Sequence, residues 1–256
     1  MENNELYLQY QPQINAQTKE IIGFEALLRW NNAEYGLVSP EVFIPLAETT
    51  GMIIPIGLWV FKTVCEQCEM CRKVFNKNYR ISINLSLEQL KDANFIRQIS
   101  KIIEDTNTVP EHLQIEITES IAFNQESYVL QRIKEIKDLG ITIAIDDFGT
   151  GHSSLSRLRT FPIDLIKIDI EFVQGISTNS HKEKEIIKSI IQLSKNLGIG
   201  VIAEGVETED QYLFLKNEMC DEIQGFYFYK PMMPDDIKKI VMQECHVDAD
   251  SNKLSE

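Results

Sequence analysis

Short apolar runs alternate with longer amphipathic stretches along the whole chain. Eight runs have the two-residue period of strands, and most stretches between them have the 3.6-residue period of helices. The predicted strands cover Leu6–Gln11, Ile21–Leu28, Arg80–Leu85, Leu113–Thr118, Ile141–Asp146, Leu165–Ile168, Gly200–Ala203 and Glu222–Tyr227. The predicted helices cover Pro40–Thr49, Gly57–Phe75, Asn94–Thr106, Gln125–Leu139, Ser153–Arg159, Lys182–Leu197, Glu207–Asn217 and Pro234–Glu244.

The connection between the first two predicted strands differs from the others. Asn15–Lys19 is a tight polar turn, too short for a helical crossover, so these strands form an antiparallel hairpin. The remaining alternation predicts an α/β fold, a (β/α)8 barrel of the triose-phosphate-isomerase type whose first strand runs against the rest. An open doubly wound sheet is the alternative, although no G-x-G-x-x-G motif follows a strand. We expect the barrel domain over residues 1–246 and a polar, disordered tail over residues 247–256.

The net charge of the chain limits the classes of molecule that it can bind. The formal net charge is -14, and such a surface repels phosphate backbones, which argues against binding of DNA or RNA polymers. A phosphorylated small molecule therefore needs local lysine, arginine or divalent metal.

The most apolar segment, Met52–Phe61, is too short for a membrane span and contains Pro55. Glu2 and Glu5 stand where a signal peptide would carry positive charge, so we predict a cytoplasmic chain. The spacing of Cys65, Cys68 and Cys71 is superficially that of an iron–sulfur site. Because these cysteines fall on one face of a predicted helix, with no fourth cysteine nearby, we interpret them as small buried apolar side chains.

Polar side chains recur at the ends of the predicted strands from the second onward. They are Glu25 and Arg29, Asn84, Glu116 and Glu119, Asp146 and Asp147, Lys167 and Asp169, Glu204 and Glu207, and Gln224. Each one alone is explained by a helix cap or a solvated turn. In a barrel, however, these ends meet at one rim, where functional groups gather. Buried charges cost several kcal/mol unless they are paired or bound to metal, so the joint pattern predicts a metal site.

The ligand types indicate the metal. They are carboxylate and amide oxygens, and no histidine accompanies them, which favours Mg²⁺ or Mn²⁺ over Zn²⁺. The adjacent pair Asp146 and Asp147 suits two neighbouring ions, about 3.5–4 Å apart, as in phosphodiester cleavage. We interpret the glycines of AIDDFGTG (residues 144–151) as a source of flexibility for the loop after the fifth strand, although they are equally compatible with a plain turn.

These residues fall within ordered motifs that resemble the EAL-domain family of bacterial cyclic di-GMP-specific phosphodiesterases. The motifs, in chain order, are YQPQ (10–13), EALLR (25–29), NLS (84–86), EITES (116–120), DDFGTGHSSL (146–155), IKID (166–169), EGVE (204–207) and QGFYFYKP (224–231). The match covers about Leu6 to Met242.

The resemblance implies a set of roles. Two Mg²⁺ or Mn²⁺ ions would be bound by Glu25, Asn84, Glu116, Asp146 and Asp147. Glu204, Lys167 and Glu25 would be catalytic: Glu204 would hold the water or act as general base, and Lys167 would orient the water and stabilise developing charge. Arg29 would bind a phosphate, and Gln11, Leu28, Asp169, Glu207, Gln224 and Tyr229 would line the nucleotide groove. Glu119 would position the loop after the fifth strand of the barrel, which the family links to dimerisation.

The implied activity is hydrolysis of cyclic di-GMP to linear pGpG in bacterial signalling, by a cytoplasmic homodimer. The resemblance leaves open fusion to a sensor or cyclase domain and a membrane-anchored parent protein. Two other hypotheses stand beside it: a catalytically silent cyclic di-GMP receptor or protein-interaction module, and a barrel enzyme acting on sugar phosphates.

Overall fold

A computed structural model describes residues 5–75, 77–123, 127–149, 158–177 and 181–242. Within these ranges nine strands form one sheet. They are β1 (Leu6–Asn15), β2 (Ile21–Asn32), β3 (Gly36–Val38), β4 (Arg80–Asn84), β5 (Leu113–Thr118), β6 (Thr142–Phe148), β7 (Leu165–Ile168), β8 (Gly200–Ala203) and β9 (Glu222–Ile223).

The sheet closes into a barrel of eight strands. The order β1-β9-β8-β7-β6-β5-β4-β2 is closed by pairing of β1 with β2, and β3 extends the outer part of β2. From β2 through β4 to β9, consecutive barrel strands are parallel, whereas β1 is antiparallel to both of its neighbours. The predicted (β/α)8 barrel with an antiparallel first strand is therefore confirmed. The short turn after β1 causes the reversal, because it leaves no room for a crossover helix.

Helices cover the outside of the barrel. They are Pro40–Thr49, Ile53–Phe75, Leu87–Lys91, Phe95–Thr106, Glu119–Ala122, Ser127–Asp138, Ile170–Ser177, His181–Leu197 and Glu209–Asn217, with a 3₁₀ turn at Pro110–His112. Residues 234–242 are also helical. The helix Phe95–Thr106 shows why these segments fold: Phe95, Ile99 and Ile103 recur every four residues and form its buried face.

Some boundaries differ from the prediction. The last strand ends at Ile223 instead of Tyr227, because the chain then turns and the Tyr229 amide donates to the Gly225 carbonyl (3.1 Å). The short elements β3, Leu87–Lys91, Glu119–Ala122 and Ile170–Ser177 were not predicted, because three to eight residues carry little periodicity. Most of the predicted helix Ser153–Arg159 and the whole tail 247–256 lie outside the described residues.

The helix Ile53–Phe75 contains the three spaced cysteines. Cys65, Cys68 and Cys71 are buried and free, and burial raises the pKa of Cys65 to about 11. They pack as small apolar side chains, in agreement with our interpretation. No single helix in the described ranges is long and apolar enough to cross a membrane; Pro40–Thr49 with Ile53–Phe75 passes such a test only as a pair bent by 120°.

Candidate active site

Lys167 lies at the centre of the carboxylates that the strand ends bring together. It comes from β7, and its Nζ is 2.5 Å from Glu116 Oε2, 2.7 Å from Glu204 Oε1, 3.2 Å from Asp146 Oδ1 and 3.6 Å from Glu25 Oε2. Glu116 is completely buried, and Lys167 is 1% exposed. The structure therefore brings together five predicted site residues from five strand ends, as expected for the carboxyl edge of parallel strands.

The charges of this cluster do not balance. Four carboxylates contact one ammonium, which leaves three negative charges uncompensated when all are ionised. Burial raises the pKa of Glu116 to about 7, against the opposing effect of Lys167. Burial also raises the pKa of Glu204 well above its usual value. Burial by itself lowers the pKa of Lys167, but the four carboxylates outweigh it and hold that pKa well above its ordinary range.

The two adjacent aspartates owe their positions to an irregularity in β6. The pairing register with β7 shifts between Ile145 and Phe148, and Asp147 has a φ of 54°, in the left-handed region. The Asp147 amide donates to Asp146 Oδ1 (3.0 Å). Asp147 itself interacts with Asp169, and burial together with the charges of Asp146 and Asp169 raises its pKa to about 6. The irregular backbone thus places Asp146 against Lys167 and Asp147 beside Asp169.

Amide groups hold both oxygens of Glu25. Asn84 Nδ2 donates to Oε1 (2.7 Å), and Gln224 Nε2 donates to Oε2 (2.6 Å). Gln224 Nε2 also lies 3.2 Å from Gln11 Oε1, while Gln11 Nε2 donates to the Tyr229 carbonyl (3.1 Å). The predicted groove residues Gln11, Gln224 and Tyr229 therefore meet directly beside the carboxylates.

Two cavities flank the cluster. One, of about 630 Å³, is mostly apolar; Leu28, Arg29, Asn84 and Glu116 are among the residues that line it. The other, of about 270 Å³, is lined by Gln11, Ile170, Gly205, Gly225 and Phe226 together with Glu25, Glu204, Glu207 and Gln224. Arg29 Nε donates to Gln9 Oε1 (2.9 Å), and burial lowers the pKa of Arg29, which stays a cation at neutral pH. The carboxylates thus lie between a larger and a smaller recess.

Three further predicted residues have local structural partners. Glu119 Oε2 accepts from the Gly149 amide (2.8 Å), at the start of the segment that follows β6. Asp169 Oδ1 accepts from the Glu171 amide (2.7 Å), the cap contact that the simpler explanation expected. Glu207 is exposed at the rim of the smaller cavity, and its backbone amide donates to Gln211 Oε1 (2.7 Å).

Two buried glutamines below the rim were not among the predicted site residues. Gln114 Nε2 lies 2.9 Å from Ser82 Oγ and 3.3 Å from Glu116 Oε1. Gln13 is fully buried and donates to Gln224 Oε1 (3.1 Å). The available signal was the two-residue spacing from Gln114 to Glu116 and from Gln11 to Gln13, which puts both members of each pair on one strand face.

The donor set fits a hard divalent cation. Four carboxylates carry an excess of negative charge at the rim, which a cation offsets, and Asn84, whose amide nitrogen donates to Glu25, adds an amide oxygen of the hard type that such cations prefer. In the described part of the chain, no three His, Cys, Asp or Glu side chains already stand in the spacing of a ligand set. In this arrangement the Lys167 ammonium, not a metal ion, lies at the centre of the carboxylates.

Comparison with known proteins decides the family. The sequence model of the EAL domain matches residues 1–231. The chain belongs to the EAL-domain family. It is 37% identical over 232 residues to the bifunctional diguanylate cyclase/cyclic di-GMP phosphodiesterase MucR of Pseudomonas aeruginosa, a match that covers 91% of this chain. It is also 37% identical over 235 residues, again 91% of this chain, to the cyclic di-GMP phosphodiesterase PdeR of Escherichia coli.

A solved structure supports the same assignment. The PaMucR phosphodiesterase in complex with c-di-GMP superposes with a TM-score of 0.88 at 36% identity, over 92% of this chain and 95% of that one. The EAL-domain chain spans only 34% of the length of MucR and 35% of that of PdeR. The matched region is thus one part of these longer relatives.

Proposed function

We propose that this EAL domain is a metal-dependent phosphodiesterase that hydrolyses cyclic di-GMP to linear pGpG. The observation that carries the proposal is the cluster of four carboxylates around the buried Lys167 at the barrel rim. Every residue that the family resemblance assigns to metal binding or catalysis is present, and family relatives are named as cyclic di-GMP phosphodiesterases.

The two flanking cavities support the substrate class. A cyclic dinucleotide has two bases on opposite sides of its phosphates, and the carboxylates lie between a recess of about 630 Å³ and one of about 270 Å³. Arg29, on the larger recess, offers a planar donor group that matches phosphate oxygens. Glu207, Gln224 and Gln11, on the smaller one, offer polar groups to a guanine edge.

The ligands of two Mg²⁺ or Mn²⁺ ions would be Glu25, Asn84, Glu116, Asp146 and Asp147. Bound divalent cations supply Lewis acidity, which acidifies water and offsets charge on the phosphate oxygens. Glu204 accepts the proton of the attacking water, a role that suits a carboxylate whose pKa burial raises well above its usual value. Lys167 donates to the phosphate oxygen that gains charge as water attacks phosphorus. The bond to the ribose oxygen then breaks, and this oxygen takes up a proton from solvent to become the free hydroxyl of linear pGpG.

The contact from Glu119 to the Gly149 amide suggests how the segment after β6 is held. We propose that Glu119 fixes the start of this segment and so the orientation of Asp146 and Asp147. The segment from residue 150 to residue 157 lies outside the described residues. The homodimer, the cytoplasmic location and the fusion to sensor or cyclase domains remain predictions.

The test is direct. Purified chain with Mn²⁺ or Mg²⁺ and cyclic di-GMP should form pGpG, measured by chromatography, and Asp146→Asn should lower the turnover number by at least about 10²-fold. Asp236→Asn is the matched control, because the Asp236 carboxylate is half exposed and pairs with Lys239 on the same surface helix. Binding of cyclic di-GMP without product in the wild type would favour the silent receptor instead.

A further inference from the structure

Gln13 is a buried polar side chain to which the proposed function gives no role. It lies on β1 opposite Gly23 of β2 and is 0% exposed. A Cβ at Gly23 would lie 3.2 Å from Gln13 Oε1 and 2.7 Å from the Arg80 carbonyl, so the missing side chain leaves room for the Gln13 amide. A buried amide in this space needs partners on both its oxygen and its nitrogen.

Gln13 belongs to a row of hydrogen bonds that runs through the barrel to Glu25. Arg80 Nη2 donates to Gln13 Oε1 (3.0 Å), and Gln13 Nε2 donates to Gln224 Oε1 (3.1 Å). Gln224 Nε2 then donates to Glu25 Oε2 (2.6 Å). We call Arg80, Gln13, Gln224 and Glu25 the amide relay. Both terminal nitrogens of the Arg80 guanidinium group, Nη1 and Nη2, donate to the Glu222 carboxylate and so hold Arg80 in place.

The chemistry at its two ends fixes the direction of the amide relay. A guanidinium group can only donate, so it selects the oxygen of Gln13 and turns the Gln13 nitrogen toward Gln224. An ionised carboxylate can only accept, so Glu25 selects the nitrogen of Gln224. Both ends therefore require the same orientation of the two amides. A carboxylate in place of the Gln13 amide would also accept a hydrogen bond from the Gln224 nitrogen, so the two neighbours of Gln224 would then require opposite orientations of its amide.

We propose that Gln13 is a positioning residue for Glu25: its amide, oriented by Arg80, keeps the Gln224 amide donating to the Glu25 carboxylate. The inference rests on the proposed function, in which Glu25 binds metal. It adds that the bottom of the barrel, at Arg80, sets the orientation of a ligand at the rim. Gln13 touches neither substrate nor metal in this proposal and acts through Gln224.

Two substitutions of similar size separate positioning from packing. Gln13→Met removes the hydrogen bonds, but Glu25 still selects the nitrogen of Gln224. Gln13→Glu keeps the contact with Arg80, but it places one carboxylate acceptor on each side of the Gln224 amide, the new Glu side chain on one side and Glu25 on the other. The single amide nitrogen of Gln224 cannot face both. Positioning therefore predicts a larger loss in the glutamate variant. A packing role predicts that methionine, which leaves an Arg80 donor unpaired, is the more damaging change.

The experiment measures the Mn²⁺ dissociation constant by titration calorimetry, the turnover number and KM for cyclic di-GMP, and Tm, at pH 8.5 on the whole chain. Gln13→Glu should weaken Mn²⁺ binding by about tenfold and lower the turnover number more than it raises KM, since outer partners of metal ligands have effects of this size. Gln13→Met should change both by no more than about threefold. Gln192→Glu, on the exposed face of the helix His181–Leu197, is the matched control and should change neither.

Equal or larger losses in Gln13→Met, or variants that change only Tm, would overturn the role of Gln13. A wild-type chain that binds Mn²⁺ without turnover would overturn the proposed function alone, and the Mn²⁺ affinities would still test the relay. If the wild type binds no Mn²⁺, the proposed function fails, and the side-chain amide signal of Gln224 in NMR spectra then decides. That signal should move in Gln13→Glu, and an unchanged signal would refute the inference.

Discussion

The two ends of the barrel differ in how their charged side chains are paired. At the N-terminal end, the Arg80 guanidinium forms two hydrogen bonds with the single carboxylate of Glu222, so the charges balance. At the C-terminal rim, four carboxylates share the ammonium of Lys167. A balanced pair satisfies its own hydrogen bonds, whereas an excess of buried negative charge requires protons or cations. The difference indicates that the lower end serves stability and the rim serves ligand binding.

Replacement of the central cation would test the rim most severely. Lys167→Met should destabilise the metal-free chain by about 3–5 kcal/mol, because it leaves buried carboxylates without their partner. It should also lower the turnover number by about 10²–10³-fold, since a donor to the developing charge is lost. Urea unfolding and turnover assays measure the two effects. Mn²⁺ should restore part of the lost stability; a variant as stable as the wild type without metal would contradict the charge argument.

Disruption of the balanced pair should affect stability rather than chemistry. Glu222→Gln weakens the hold on Arg80 without removing its contact with Gln13, so we expect a loss of about 1–3 kcal/mol in the free energy of unfolding. Turnover by the folded fraction should change by less than about threefold. The measurement is urea unfolding combined with activity well below the transition. A loss of turnover as large as that in Lys167→Met would erase the distinction between the two ends.

Proton and metal binding should compete at the rim. Glu116 and Asp147 have pKa values raised to about 7 and about 6, from 4.5 and 3.8, so their contribution to the stability of the metal-free chain is complete below about pH 4 and is lost as the pH rises to about 7. A fixed Mn²⁺ concentration should therefore stabilise the chain more at pH 8 than at pH 5. If that concentration is 100 times the dissociation constant at pH 8, the stabilisation there is about 2.7 kcal/mol, and it should be smaller at pH 5. The Tm with and without Mn²⁺ at both values tests this. Equal shifts at pH 5 and pH 8 would refute the competition.

An exposed ion pair should show the smallest loss of stability when its lysine is replaced. Lys91 Nζ lies 2.6 Å from Glu88 Oε1, but the two side chains are 44% and 42% exposed. Lys91→Met should change the free energy of unfolding by less than about 0.5 kcal/mol, because solvent screens the pair. Parallel urea titrations of this variant and Lys167→Met compare the same substitution in two settings. Similar losses of unfolding free energy in the two variants would show that burial does not determine how much stability is lost when an ion pair is broken.

The sequence predicted the barrel and most of the residues at its rim because both depend on local patterns. The strand period, the helix period and the length of the turn after β1 are readable over a few residues, and so are polar groups that end apolar strands. The predicted end of β9 was wrong. The strand-like pattern runs to Tyr227, but the chain turns after Ile223, and backbone hydrogen bonds of Val206 with Gln224 and Tyr227 stabilise the turn. The prediction also did not place Gln13 and Gln114 in the site, because their two-residue spacing from Gln11 and Glu116 gives the strand face but not the hydrogen-bond partners.

What the sequence by itself determined was the order of strands and helices, the reversed first strand and the set of acids. Only the tertiary structure decided which of these groups meet. Gln13 and Gln224 are 211 residues apart, and Lys167 and Glu116 are 51 apart, yet each pair forms a hydrogen bond in the closed barrel. The irregularity of β6 that separates the directions of Asp146 and Asp147 likewise depends on pairing with β7. Local patterns fix which face a side chain takes, but barrel closure fixes its partner.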